Sequence, residues 1–274
     1  MTIATPKSIG TKVAPHLQLV STLLAGRKGL VVGIANEDSI AWGCARVLRE
    51  LGAEIAVTWL NAKAQPHVEP LARALEAPIA MPLDVEQPGQ MEAVFAAIGE
   101  KWGRLDFALH SIAYAPAQDL RGRVVDTSRE GFARAMDISC HSFVRMARLA
   151  EPLMDRGGAL LTVSFLGGAQ VVQHYGMMGP VKAALESSVR YLAAELGPNG
   201  IRVNAVSPGP IPTRAASGIP GFGDLAADAR NRAPMQRPIA LEDVGTLSAF
   251  LISDAAQSIT GATLYVDNGF HILA

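Results

Sequence analysis

The chain has 274 residues, 49% hydrophobic and 18% charged, which excludes a disordered polymer, because such a chain cannot bury enough apolar surface to offset its conformational entropy. Its 24 Lys and Arg against 25 Asp and Glu leave a formal charge of −1, so no basic excess exists to release counterions from nucleic acid and no such partner is expected. Two cysteines, Cys44 and Cys140, are too few for a disulfide scaffold and read as buried thiols of a reducing, cytoplasmic compartment, while no run of about 18 apolar residues predicts a membrane span.

The first acidic residue is Glu37. The stretch from Met1 to about Ala25 reads as an N-terminal extension, partly mobile, ahead of a single catalytic domain over 26–274. From Gly29 onward, β-branched apolar runs of strand length alternate with amphipathic stretches of helix length. Strands are predicted at Gly29–Ile34, Glu54–Trp59, Ile79–Leu83, Leu105–Ile112, Ala159–Ser164, Ile201–Val206 and Ala262–Val266. Between the first two, Ile40, Cys44, Val47, Leu48 and Leu51 share a helical face, with Ser39 placed to cap the helix and Gly52 to end it. Pro88 suits the first turn of a later helix, whose stripe is Met91, Val94, Phe95 and Ile98. Continuous apolar strands joined by helices imply a parallel sheet covered on both faces, hence one doubly wound α/β domain.

In such sheets ligands lie beyond the carboxyl ends of the strands, where the strand order reverses. The first strand runs out into Gly33-Ile-Ala-Asn-Glu-Asp-Ser39-Ile40-Ala-Trp-Gly43. Gly33 allows a tight turn, Ser39 opens a helix whose free N–H groups suit a pyrophosphate, and Gly43 permits close helix–sheet packing. This is not G-x-G-x-x-G, so alone it fits an ordinary strand–turn–helix equally well. Asp84, after the third strand, offers a carboxylate either to an adenine amino group or as a helix cap. His110 lies in an apolar strand and reads as structural.

The decisive segment runs from Leu161 through Phe165, His174, Tyr175, Gly179, Pro180 and Lys182. Tyrosine and lysine stand seven apart before an alanine-rich helix. Pro180 prefers a helix's first turn, which puts Tyr175 just before the helix, at the sheet's carboxyl edge, and Lys182 in its opening turns.

On these residues the chain resembles the short-chain dehydrogenase/reductase superfamily, in its divergent branch, the NADH-dependent enoyl-acyl-carrier-protein reductases. Further matches are His110-Ser-Ile-Ala-Tyr-Ala-Pro116, Ser207-Pro-Gly-Pro-Ile-Pro-Thr213-Arg-Ala-Ala-Ser-Gly-Ile219 and Leu264-Tyr-Val-Asp-Asn-Gly269. The resemblance covers about Leu24 to Leu273. It implies a Rossmann-type fold of seven parallel strands and a homotetramer. By position it implies that Gly33, Ser39 and Ile40 line the dinucleotide phosphates and ribose, that Leu60 lies by the adenosine ribose, and that Asp84 and Val85 hold adenine. Ile112 would pack beside the cofactor, Lys182 would bond the nicotinamide ribose, and Ile211, Pro212, Thr213, Arg214 and Ala215 would meet the carboxamide and pyrophosphate. Ala115, Phe165 and Tyr175 would contact the acyl substrate, with Arg214 to Phe222 as a mobile lid. Tyr175 and Lys182 are the catalytic pair.

Three positions depart from the family pattern. Phe165 stands where a second tyrosine is common, so Tyr175 acts alone. Asn268 replaces a glycine, and Asn tolerates left-handed backbone. Leu60 replaces a common glutamine, removing a polar contact to the ribose. After the second strand neither an acid for a ribose 2′-hydroxyl nor a base for a 2′-phosphate is immediately present; the resemblance favours NADH, and Lys63 leaves NADPH open. His141 and His174 lack partners at ligand spacing, so no metal is assigned. The substrate expected is an enoyl group on acyl carrier protein. The alternatives are a short-chain reductase acting on a carbonyl or another conjugated thioester, and a silent dinucleotide-binding protein.

Overall fold

Seven strands carry the architecture of the computed structural model, whose described residues are 22–214 and 216–273. They are β1 (Lys28–Val32), β2 (Glu54–Trp59), β3 (Ile79–Pro82), β4 (Phe107–His110), β5 (Gly158–Val163), β6 (Ile201–Pro208) and β7 (Thr263–Val266). They form one sheet in the order β3-β2-β1-β4-β5-β6-β7, and every pairing is parallel. All seven predicted strands are therefore present, within two residues at most ends. The expected extension lies outside the described residues as far as residue 21, and Ala215 lies outside them too. Leu24 already belongs to the domain: it is buried and its N–H bonds to Leu51 O at 2.9 Å.

The helices are α1 (Ile40–Glu50), α2 (Gln65–Ala74), α3 (Gln90–Trp102), α4 (Ala117–Arg121), α5 (Arg129–Met136), α6 (Ser142–Ala150), α7 (Met178–Leu196), α8 (Phe222–Arg232) and α9 (Leu241–Ile252). Alternate strand residues face opposite layers. Leu30, Val32, Ala108, Leu160 and Val203 pack with Met91, Val94, Phe95 and Ile98 of α3 and with α6 and α7. Val31, Leu109 and Leu161 instead pack with α1, α2 and α9. Each fully buried Leu, Val or Phe contributes about 1.5–3 kcal/mol, so the two-faced burial is what fixes the central strands in register. The layer of α1 and α9 depends on glycine. A Cβ on Gly43 would sit 2.4 Å from Leu241 Cβ, and one on Gly245 would sit 2.9 Å from Gly43 O.

One local expectation needs correction here. Pro88 precedes its helix rather than opening it: α3 starts at Gln90 behind Gly89, whose φ of +84° makes the entry turn. Gly52, by contrast, ends α1 as expected, with φ +98° and its N–H on Arg49 O at 3.0 Å. Asn268 takes φ +58°, the left-handed geometry that Asn tolerates. At the C-terminal end, Asp267 is buried and accepts from Gly269 N–H at 3.0 Å and His271 N–H at 2.8 Å. Gln170 Nε2 donates to His271 O at 3.1 Å, and Arg232 Nη2 donates to Leu273 O at 3.1 Å. The last turn thus ties α8 to the loop that follows β5.

Candidate active site

The strand order reverses between β1 and β4, where crossovers leave in opposite directions and a crevice must open at the carboxyl edge. A cavity of about 400 Å³ lies there. Its walls come from the turn after β1 (Gly33, Ser39, Ile40), the end of β4 (Ile112, Ala115), the end of β5 (Ser164, Phe165), and from Tyr175 and Lys182, with Ile211, Thr213, Arg214 and Phe222 on the far side. Gly33 has φ +107°, and a Cβ there would meet Ser111 O at 2.1 Å. Only glycine lets the β1 turn pass this close to the β4 end.

Ser39 holds the N-cap position of α1 but makes no side-chain bond to the helix, which corrects the expected cap. Its hydroxyl turns back to donate to Asn36 O at 2.6 Å. Trp42 and Gly43 N–H groups bond to Ser39 O at 3.0 and 3.2 Å. The side chain therefore shapes the loop instead of covering the helix end, and α1 begins at the wall of the crevice, which Ser39 and Ile40 line. Such an end favours an anion.

Tyr175 lies just before α7, and Pro180 sits in that helix's first turn, as its chemistry requires. The residue before the tyrosine, His174, has φ +61°, a strained turn that swings the chain into the crevice. A Cβ on Gly167 would strike the Tyr175 ring at 2.3 Å, so the ring lies flush on the loop after β5. Phe165 packs on it at 4.8 Å between centroids, tilted by 51°. Burial first, and the Glu186 carboxylate second, push the Tyr175 phenol above its ordinary range; it is a neutral donor at physiological pH. Lys182 is 4% exposed, and its Nζ donates to Val163 O at 2.6 Å. Burial drives the ammonium down to about 8, against the opposing pull of Glu186.

His110 is structural in the way its apolar strand suggested. Its Nε2 is 2.7 Å from Ser142 Oγ and its Nδ1 is 3.2 Å from Thr162 Oγ1. Burial, reinforced by the Lys182 charge, pushes it down to about 3, so it stays neutral.

The remaining sequence candidates separate. Asp84 does not cap α3: its Oδ1 accepts from Glu86 N–H at 3.0 Å while its own N–H donates to Gln90 Oε1 at 2.7 Å. Val85 is buried in the core. Leu60, at the end of β2, is 53% exposed. These three and Pro212 stand outside the cavity wall itself, with Asp84 and Leu60 at the carboxyl edge beside it. Of the residues expected to form a lid, Arg214, Ala216, Gly218, Ile219 and Phe222 line the cavity, and Thr213 Oγ1 accepts from Ala216 N–H at 3.1 Å.

Several residues that shape the site carried no motif. Ser139 lies in a π turn, Asp137–His141, and its Oγ accepts from Tyr114 N–H at 2.8 Å and donates to Tyr114 O at 2.9 Å. That widened turn anchors the loop after β4. Asp119, buried in the short α4, accepts from Ser128 N–H at 2.7 Å, tying the cavity wall to the start of α5. Arg134 pairs with Glu86 through two bonds of 2.7 Å and covers the Tyr114 ring at 4.8 Å. Glu186 is buried one turn beyond Lys182, and only its place on the apolar face of α7 could have singled it out.

A doubly wound sheet with a tyrosine and a lysine in its switch-point crevice defines a short-chain dehydrogenase/reductase. A family model described as Enoyl-(Acyl carrier protein) reductase matches residues 33–271. The chain is 47% identical over 251 residues to enoyl-(acyl-carrier-protein) reductase (NADH) 1 of Rhizobium meliloti, covering 92% of each. It superposes with a TM-score of 0.89, at 43% identity, on the reductase from Anaplasma phagocytophilum in complex with NAD, over 92% of this chain and 96% of that one. The Bacillus cereus enzyme, with NADP+ and an indole naphthyridinone, gives TM-score 0.89 at 43% identity over 92% of this chain and 99% of that one. The chain belongs to the enoyl-(acyl carrier protein) reductase family.

Proposed function

We propose that this protein reduces trans-2-enoyl thioesters carried on acyl carrier protein to saturated acyl thioesters, with NADH, in type II fatty acid biosynthesis. The observation that carries this reading is the placement of Tyr175 and Lys182 on one crevice wall, across from the glycine turn of β1. The crevice suits a dinucleotide on its own chemistry. The Gly33 turn leaves no space for a side chain, the start of α1 favours a pyrophosphate, and Asp84 offers an acceptor at the carboxyl edge. Gly33, Ser39, Ile40, Ile112, Ile211, Thr213 and Arg214 would line the cofactor, with Leu60, Asp84, Val85, Pro212 and Ala215 at its ends.

NADH, when bound, supplies the hydride for C3 of the enoyl group. The chain's part is electrostatic. The Tyr175 hydroxyl donates to the thioester oxygen, where charge develops; one such donor contributes about 3–4 kcal/mol to transition-state stabilisation. Lys182, preset on Val163 O, bonds the nicotinamide ribose and biases the nearby phenol toward stabilising negative charge. Phe165 cannot donate a hydrogen bond and packs against Tyr175, while Ala115 leaves width for the acyl chain. NADH is preferred over NADPH on the likeness to the NADH enzymes, since after β2 neither an acid for a ribose 2′-hydroxyl nor an arginine for a 2′-phosphate is immediately present and Lys63 is exposed there.

We further propose a cytoplasmic homotetramer built from one catalytic domain that starts near residue 26. Tyr191 of α7 is 70% exposed and Phe250 of α9 is 40% exposed, and all four residues of the edge strand β7 are half-buried. These are the surfaces that a second copy would cover. Among the described residues no helix is long and apolar enough to cross a membrane.

The test is oxidation of NADH and of NADPH by purified protein with a trans-2-enoyl thioester, beside a 3-oxoacyl thioester. Turnover of the enoyl compound alone supports the reading. Turnover of the 3-oxo compound alone assigns a carbonyl reductase, and cofactor binding without turnover assigns a silent dinucleotide-binding protein.

A further inference from the structure

Two charged side chains on the buried face of α7 hold two consecutive residues at the end of β5. Lys182 Nζ donates to Val163 O at 2.6 Å. One turn later, Glu186 accepts from Ser164 Oγ at 2.5 Å. Glu186 is 8% exposed, and a buried carboxylate is costly unless something charged or strongly polar uses it. One serine hydroxyl is a weak return for that cost. Packing around it is close: a Cβ on Gly168 would stand 2.9 Å from its Oε1 and 3.1 Å from the Lys182 carbonyl carbon. The glycine of the β5 loop thus makes space for this carboxylate and for the helix turn that joins it to Lys182.

We propose that Glu186 is a positioning residue for the cofactor-binding lysine: its carboxylate is the counter-charge that keeps the buried Lys182 ammonium protonated, and through Ser164 it fixes the strand end on which that ammonium rests. This rests on the reading of Lys182 as a cofactor residue. The other titratable groups facing Lys182 cannot take the role. His110, from β4, is neutral, and the cation disfavours its protonated form. Cys140, from the π turn, favours the charged lysine less than Glu186 does, and its Sγ lies 3.5 Å from Ser188 Oγ. Tyr175, from the loop ahead of α7, is held as a neutral phenol. On the far side of Glu186, Tyr265 of β7 also feels its charge and is pushed up in part by it. Glu186 is the anion of this group. Burial pulls the lysine down toward loss of its proton and Glu186 acts against that pull.

The sign of the effect follows. Lys182 binds ribose best as a cation, so affinity for NADH falls as pH rises through the lysine's titration. Without the carboxylate that fall comes at lower pH. The experiment is the dissociation constant of NADH, by fluorescence titration from pH 6 to 9, for wild type, Glu186→Gln, Glu186→Asp and Ser164→Ala. Glu186→Gln should move the midpoint of the fall down by about one pH unit, leaving affinity at pH 6 near wild type and weakening it about fivefold at the wild-type midpoint and close to tenfold above it. Glu186→Asp, with its charge drawn back by one methylene, should fall between the two. Ser164→Ala removes the tether and keeps the charge, so its midpoint should stay at the wild-type value. A Gln curve parallel to wild type, or a Ser164→Ala shift as large as the Gln shift, overturns the proposal, as does a wild-type affinity that does not fall with pH. If the Gln variant does not fold, an Asp midpoint equal to wild type overturns it and a lower one supports it. Loss of the enoyl-reductase reading would show separately, as absence of turnover in wild type.

Discussion

Tyr175 and Lys182 are both buried, and burial works against charge on each, which makes their roles separable by substitution. Tyr175→Phe removes one hydroxyl from a ring already packed on Phe165, so the fold and the cofactor wall should persist. Turnover should drop about 10²–10³-fold with little change in NADH affinity; steady-state rates beside a fluorescence titration check this, and wild-type turnover in the variant would refute the role. Lys182→Ala should show the reverse emphasis, raising the NADH dissociation constant. His110 makes a stability prediction. An unfolded chain takes up its proton near 6.5 and the folded one resists until about 3. Stability linked to it is therefore lost as pH falls between those values, at about 1.4 kcal/mol per pH unit. Urea unfolding at pH 7, 6 and 5 should show a shallower loss in His110→Gln than in wild type; equal slopes would contradict the assignment. At this scale the sequence displayed the residues with motif partners, Gly33, Tyr175 and Lys182. It hid Glu186, because a glutamate in an alanine-rich helix reads as a solvated face until the sheet covers it.

The elements followed from periodicity, since strands buried on both sides are continuous apolar runs and the helices between them carry single stripes. What periodicity could not supply was the local turn chemistry. The start of α3 fell at Gln90 because Gly89 makes a left-handed turn after Pro88, and the N-cap serine of α1 turned toward its own loop because Asn36 O lies within reach. Ridge contact between α1 and α9 was also out of sight, because it joins residues about two hundred apart in sequence. It leads to opposite outcomes for one substitution. Gly43→Ala drives a methyl into Leu241 and should destabilise the protein by about 1–3 kcal/mol. Gly223→Ala, in α8 with nothing within 4 Å of the new Cβ, should be neutral or stabilise by up to about 1 kcal/mol. Thermal melts of the two variants decide, and a stabilised Gly43→Ala would mean that the helices can part without cost.

For the whole molecule, the described surface leaves apolar side chains on α7 and α9 beside a half-covered edge strand. A lone subunit has no use for them, and an unpaired strand edge is an aggregation hazard. Light scattering should return four times the chain mass, and Tyr191→Glu with Phe250→Glu should give smaller species of lower melting temperature; a monomeric wild type would remove the tetramer. Strand order was not legible, because alternation of strands and helices predicts a parallel sheet without saying where it reverses. Coverage of the outer faces was not readable at all, since an exposed phenylalanine and a core one look alike in a string of letters.

The closing turn of the chain has a practical bearing. Residues 270–273 are a buttress: Gln170 grips one carbonyl there and Arg232 another, so the segment braces both the loop that follows β5 and α8. A variant that lacks these residues frees both donors, so that the loop after β5 and α8 lose their shared support together.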